Sequence, residues 1–184
     1  VVLIAHRSVR RLREALSAIR VDVDPLPPVF DPSEPATPDT RQHGTENVFK
    51  RIDIRKGDPA PIFERAAHVV EGVYTTGAQE HVYLETQGMI ARVEPDVIEV
   101  HGSMQCPYYV LNGLTHALAR DASKLRVVHM PTGGGFGGKE EYPTNLALHV
   151  SLLALKSGRP VKMIYDRTED MAATTKRHPS RVRH

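Results

Sequence analysis

The chain has 184 residues, 40% hydrophobic and 25% charged, with one cysteine, no tryptophan and a formal net charge of +2. That balance belongs to a globular protein of one or two modest domains, and the lone Cys106 excludes an internal disulfide and fits a reducing, cytoplasmic compartment. The positive sign comes from Lys176, Arg177, Arg181 and Arg183, crowded at one end, so it implies no nucleic-acid partner.

In chain order, VVLIAH reads as a buried strand, and Ser8 as the cap of a helix whose Val9, Leu12, Leu16 and Ile19 share one face. IRVDVD alternates like a half-exposed strand. PLPPVFDPSEPATPDT carries six prolines in sixteen residues and reads as an extended connector at a domain boundary. VFKRIDI predicts a strand, Pro59 to Ala67 a short helix and HVVEGVYTT another strand. Gly88–Val93 and Val97–His101 predict a hairpin around Glu94, Pro95 and Asp96. Pro107 opens a helix to about Ala119 with Val110, Leu114, Ala117 and Leu118 inward. LRVVHM is a strand. Pro143 opens a helix apolar nearly all round (Leu146, Leu148, Val150, Leu152, Leu153, Leu155), expected to be buried and stopped by Gly158 and Pro160. VKMIY is a final strand. No apolar run approaches the roughly 20 residues that span a bilayer, so no membrane partner is expected. An opening without methionine at Val1 and a close on SRVRH, where Val182 reads as a strand beginning, lead us to expect a fragment.

The most informative stretch is Gly133-Gly134-Gly135-Phe136-Gly137-Gly138-Lys139-Glu140. Five glycines in six residues cost backbone entropy and pack nothing. Either the backbone amides approach a ligand closely, or the loop is merely a sharp turn. A Walker-type phosphate loop needs Ser or Thr after its lysine to hold magnesium; here Glu140 and Glu141 follow Lys139 and would repel a triphosphate. The dinucleotide fingerprint is formally present as Gly133, Gly135 and Gly138. Its acidic partner, Asp166, lies 28 residues past Gly138, where about 20 is expected. A Rossmann-like nucleotide-binding module is therefore one alternative. A non-catalytic fragment that docks partner subunits is another.

PTGGGFGGKEEYP, with HGSMQCPYYV and QEHVYLETQGMIA before it and GRPVKMIYDRTEDMAATTKRHP after it, resembles the molybdenum-cofactor-binding subunit of the xanthine dehydrogenase and aldehyde oxidase family. The four motifs occur in the family's order over about Ala78 to His184; the first 76 residues are similar more loosely. The resemblance implies an α/β (mixed α+β) fold. Residues 1–30 would be the tail of an α/β hammerhead domain, 31–44 a proline-rich linker, and 45–184 the incomplete N-terminal part of the molybdenum-cofactor-binding domain.

It also implies chemistry: hydroxylation of an electron-poor carbon of a purine-like N-heterocycle or an aldehyde, with oxygen from water. The cofactor would be a molybdenum–pterin (molybdopterin, as such or as the cytosine dinucleotide). Iron–sulfur and FAD centres would belong to partner domains or subunits, beside the remainder of the molybdenum subunit. Gln105 matches a glutamine whose amide donates to an oxo ligand of the metal. Phe136 would contribute its backbone N–H near the metal's oxygen ligands, with Gly135 and Gly137 allowing close approach and the ring packing. Glu140 matches a glutamate that orients substrate; the family's catalytic base would lie downstream of this sequence, so the fragment alone is expected to be inactive. Cys106, although beside Gln105, reads as a buried structural thiol. The ten histidines show no ligand spacing for zinc. Arg177 and His178 match a motif expected to brace the domain.

Overall fold

A computed structural model describes residues 2–31, 34 and 37–184. The chain divides into two units, one made of its start through Leu16 together with Gly72–His184, the other of Ser17–Glu71.

In the first unit, hydrophobic alternation builds a mixed sheet. Strand β2 (Gly88–Val93) turns at Glu94, whose N–H bonds Val97 O at 2.8 Å, into β3 (Ile98–Gly102). The register sets Ala91 opposite Val100 and Arg92 opposite Glu99. β4 (Leu125–His129) runs parallel to β3, and β5 (Val161–Ile164) antiparallel to β2, giving the order β4-β3-β2-β5. Because successive strand side chains face opposite ways, Met89, Ala91, Ile98 and Val100 enter the core with Val110, Leu114, Leu146 and Val150 from the helices. On the other face the buried Glu99 carboxylate takes ion pairs from Arg92 at 2.9 Å and Arg126 at 3.4 Å and is in hydrogen-bond contact with the His101 ring. Hydrogen bonding to His101, against a smaller opposing effect of burial, and the two arginines hold it below the ordinary carboxylate range.

The helices opening at Pro107 and Pro143 begin and end where the sequence places them, whereas a third, Arg167–Ala173, was not read from it. α3 (Pro107–Leu118) has proline in its first turn and ends at Ala119 in the left-handed conformation; α4 (Pro143–Ser157) ends at Gly158, φ +63°, whose N–H bonds Ala154 O at 2.9 Å. α4 packs on β2 and β3 through Leu146, Ala147, Val150, Ser151 and Ala154. It buries one face rather than its whole girth, so Leu152 stays exposed, and α3 likewise leaves Ala117 exposed. α5 (Arg167–Ala173) starts with a reciprocal capping box between Asp166 and Glu169. β1 (Val73–Thr76) and β6 (Ser180–Arg183) form a separate antiparallel pair, which fulfils the strand expected at Val182.

Three strand expectations fail and a fourth is met only in part. Residues 2–6 of VVLIAH, and all of IRVDVD and VFKRIDI, have no strand structure, and of HVVEGVYTT only Val73–Thr76 is extended in a sheet. Position 1 of the first lies outside the described residues. A strand requires a neighbour for its N–H and C=O groups, and no other described segment pairs with these. Among their apolar residues Val21, Val23, Ile52 and Ile54 are exposed. α1 (Val9–Ala18) does form, with the Arg11 N–H 3.5 Å from Ser8 Oγ; Leu12 is half-buried, while Val9 and Leu16 stay exposed. α2 (Ala60–Arg65) forms within the expected Pro59–Ala67. The second unit has no buried residue among those described, and the proline-rich connector has no regular structure where it is described, positions 32, 33, 35 and 36 lying outside.

Candidate cofactor-binding site

The glycine loop connects β4 to α4 and closes on Gln105, which lies between β3 and α3. Gly138 N–H donates to Gly135 O at 2.7 Å and closes the turn. Gly134 and Gly137 sit at φ +96° and +91°, a region where a Cβ is strained. Phe136, between them at φ +50°, bears that strain. Its ring is 77% exposed, so the expected packing role is absent in this chain.

Gln105 is tied to the loop three times. Its backbone N–H donates to Lys139 O at 2.7 Å, and its side-chain Oε1 accepts from Gly137 N at 2.9 Å and Lys139 N at 3.2 Å. Two donors converging on that oxygen fix the orientation of the carboxamide. Nε2 is therefore left as a donor with no protein partner among the described residues. A Cβ on Gly135 would run into this carboxamide, which explains glycine there. The Phe136 N–H is likewise without a protein acceptor. Among the described residues, Gln105 Nε2 and the Phe136 N–H are thus free at the junction of the loop with Gln105, as are the N–H groups of Gly134 and Gly135 beside them. Glu140 follows the turn, exposed and without a hydrogen bond or ion pair, two residues before the N-cap of α4.

Beneath the loop lies a charged junction that sequence reasoning missed. Lys139 is fully buried; its Nζ donates to Glu85 Oε2 at 2.8 Å and to Ser103 Oγ at 3.0 Å, and lies 4.8 Å from the centre of the Tyr83 ring. Glu85 Oε2 also accepts from Ser103 Oγ at 2.7 Å and from the Gly133 amide at 2.7 Å. Burial alone would raise the Glu85 carboxyl, but the bonds from Lys139, Ser103 and Gly133 and the ammonium charge outweigh it and hold it below the ordinary range. Ser103 and Lys139 do not form a nucleophile–base pair, since the ammonium donates to the hydroxyl and the hydroxyl to the carboxylate. The available signal was a lysine directly after the glycine run, a cation expected to need a carboxylate when buried.

Gln87 supports the loop from behind. It is fully buried and donates from Nε2 to Gly138 O at 2.8 Å and to Tyr83 Oη at 2.9 Å, while its N–H bonds Asp170 Oδ2 at 2.6 Å. Burial, with the Asp170 carboxylate beside it, pushes the Tyr83 hydroxyl up to about 12. Glu80 pairs with Lys176 at 2.6 Å; burial opposes ionisation, but that partner and the His81 amide bring its carboxyl below the ordinary range. Arg177 exchanges both backbone bonds with Gln79 and donates to Gly77 O at 3.0 Å, the bracing expected of it, whereas His178 is exposed and makes no such bond. Cys106 is the N-cap residue of α3 and only half-buried.

The nucleotide-binding alternative fails on this geometry. β4 and β5 lie at opposite edges of the sheet, with β3 and β2 between them, and Asp166 is spent capping α5. The helix after the loop opens five residues past Gly138, with a proline that has no N–H for a phosphate. Among the described residues no group of three or more His, Cys, Asp or Glu could hold a metal ion directly.

Residues 40–184 match the family model of the molybdopterin cofactor-binding domain. The chain belongs to that family. It is 36% identical over 168 residues, 91% of its length, to xanthine dehydrogenase of Drosophila subobscura, and 33% identical over 180 residues, 96% of its length, to xanthine dehydrogenase of Emericella nidulans. Among solved structures it is similar to the aldehyde oxidoreductase of Desulfovibrio gigas, with a TM-score of 0.81 and 29% identity over 94% of the chain. The chain spans 12% and 13% of the two curated relatives and 19% of that structure. The α/β fold class and the molybdopterin cofactor implied by the four motifs are thus those of the family, and the matched residues contain the glycine loop and Gln105.

Proposed function

We propose that the protein to which this chain belongs is a molybdenum hydroxylase of the xanthine dehydrogenase type, and that the loop at Gly135, Phe136 and Gly137 with Gln105 receives the oxygen ligands of its molybdopterin cofactor. The observation that carries this reading is a group of unpartnered donors, Gln105 Nε2 and the N–H groups of Gly134, Gly135 and Phe136, gathered where the glycine loop meets Gln105. The residues fit the group. Oxygen ligands need donors, not carboxylates, and the absence of a His/Cys/Asp/Glu cluster among the described residues suits a metal that brings its own sulfur ligands on the pterin.

When bound, the cofactor supplies the oxygen transfer and accepts the electrons. This chain's residues hold and orient. Gln105 Oε1, fastened to the Gly137 and Lys139 amides, keeps Nε2 presented. Gly135 and Gly137 let the backbone approach, and Phe136 gives its N–H. Glu140, free of internal partners, stands where it can accept a hydrogen bond from a purine-like N-heterocycle; an aldehyde would use it less. Residues 1–30 are read as the tail of an α/β hammerhead domain, 31–44 as a linker and 45–184 as the first part of the cofactor domain. The reading further assigns iron–sulfur and FAD partners, which would take the electrons, and a cytoplasmic location. No helix among the described residues is long and apolar enough to cross a membrane.

The test is metal and pterin analysis of the full-length polypeptide. Molybdenum and pterin near one equivalent each, with oxidation of a purine or an aldehyde, are expected. A folded, full-length protein purified without either, and unable to take them up, would reject the enzyme reading in favour of a docking role.

A further inference from the structure

We infer that Lys139, Glu85 and Ser103 are positioning residues that set the spacing between the Gln105 and Phe136 donors. This inference rests on the proposed cofactor reading. Three parts of the site meet at one carboxylate oxygen. Glu85 Oε2 takes the Gly133 amide at the start of the loop, the Lys139 ammonium at its end, and the Ser103 hydroxyl two residues before Gln105. Lys139 also holds Gln105 through its own backbone, donating from N to Oε1 and accepting at O from the Gln105 N–H. The side chain and the backbone of one residue therefore fix both stalks of the loop and the segment bearing Gln105. A fully buried ammonium has a large desolvation penalty, which a surface turn would not need to carry. Such a rigid, directional tie suits a loop that must hold two donors at fixed separation while leaving them unpaired.

The ammonium and the carboxylate are nearly balanced as charges, so what the pair supplies is geometry. Neutralising both should keep the fold and loosen the loop. Lys139→Met alone takes from the Glu85 carboxylate, 43% exposed at its side chain, its ammonium partner and the tie to the loop, and is expected to lower the melting temperature. Adding Glu85→Gln removes the charge left without its partner while keeping an oxygen for the Gly133 amide, and should restore part of the melting temperature.

The experiment uses the full-length holoenzyme and compares wild type, the Lys139→Met, Glu85→Gln double variant and Ser103→Ala. Read together are melting temperature, molybdenum and pterin content, the electron paramagnetic resonance spectrum of the part-reduced enzyme, and kcat separately from KM. A displaced donor is expected to cost kcat by up to about a hundred-fold and to change the spectrum, with KM little altered because none of the three residues touches substrate. Ser103→Ala, which removes one hydroxyl from the junction, should shift the spectrum in the same direction by less. A double variant with recovered stability and a wild-type spectrum and kcat overturns the inference. If the double variant does not fold, an unchanged spectrum and kcat in Ser103→Ala overturns it. Wild-type enzyme lacking molybdenum would instead defeat the cofactor reading on which it rests.

Discussion

At the scale of single residues, the loop separates holding from donating. Gln105 does both with one carboxamide, the oxygen fastened to Gly137 and Lys139 and the nitrogen left free. Gln105→Glu keeps the holding role, because a carboxylate still accepts from the two amides, and replaces the donor with a negative charge, so its loss of turnover is at least that of the missing donor. In the full-length enzyme it should lower turnover by at least about 2.7–4 kcal/mol in barrier, the range seen when an oriented donor is removed near developing charge, with melting temperature nearly unchanged. Wild-type turnover at full molybdenum occupancy would remove Gln105 from the site. Glu140 has no structural partner to lose, so Glu140→Ala isolates substrate contact. A purine-like substrate should lose roughly ten- to a hundred-fold in kcat/KM, the worth of a hydrogen bond to a charged group, and a simple aldehyde much less. Equal losses on both would assign Glu140 to the loop itself. The glycine loop and Gln105, which the structure joins, were legible in the sequence because they sit in short motifs. The Glu85–Lys139 pair was not, because its partners are 54 residues apart and only the sheet brings them together.

At the scale of elements, the signals that held are local ones. Pro107 and Pro143 at helix starts and Gly158 at a helix end act through their own dihedrals, so α3 and α4 fall where they are read. The hairpin of β2 and β3 carries both of its strands and its turn within fifteen residues. Strand patterns at VVLIAH, IRVDVD and VFKRIDI carried the right alternation without a pairing partner, and alternation alone makes no sheet. The joints between elements carry a pH signature. Glu85 links the glycine loop to the turn before β2, and Glu80 links the segment after β1 to the segment after α5. Both carboxyls lie lower in the folded protein than in an unfolded chain. Their contribution is therefore complete above the ordinary carboxylate range and lost as pH falls through the lowered folded values. Melting temperature should fall on acidification, and Glu80→Gln, with no proton to take up there, should show a shallower fall. A wild-type melting temperature level through acid would contradict the assignment.

At the scale of the whole molecule, this stretch of chain presents its site to solvent. Gln105, Phe136 and Glu140 are all exposed, and a hydrogen bond that competes with water contributes little net affinity. The 184-residue chain by itself is therefore expected to retain no molybdenum or pterin through a desalting column; stoichiometric retention would show that these residues suffice. The stability of the chain is just as uneven. Its core lies in the sheet and in α3 and α4, while Ser17–Glu71 has no buried residue among those described.

That unevenness can be read with a protease. Arg20, Arg41, Lys50, Arg51, Arg55, Lys56 and Arg65 all lie exposed along Ser17–Glu71, on backbone with few internal bonds, whereas Lys139 is sealed under the loop. Brief trypsin treatment should cut the first group one after another and leave a resistant remnant starting near Ala66, with the bond after Lys139 among the last to be cleaved. The order of the cuts would then be a record of where the chain has an interior of its own.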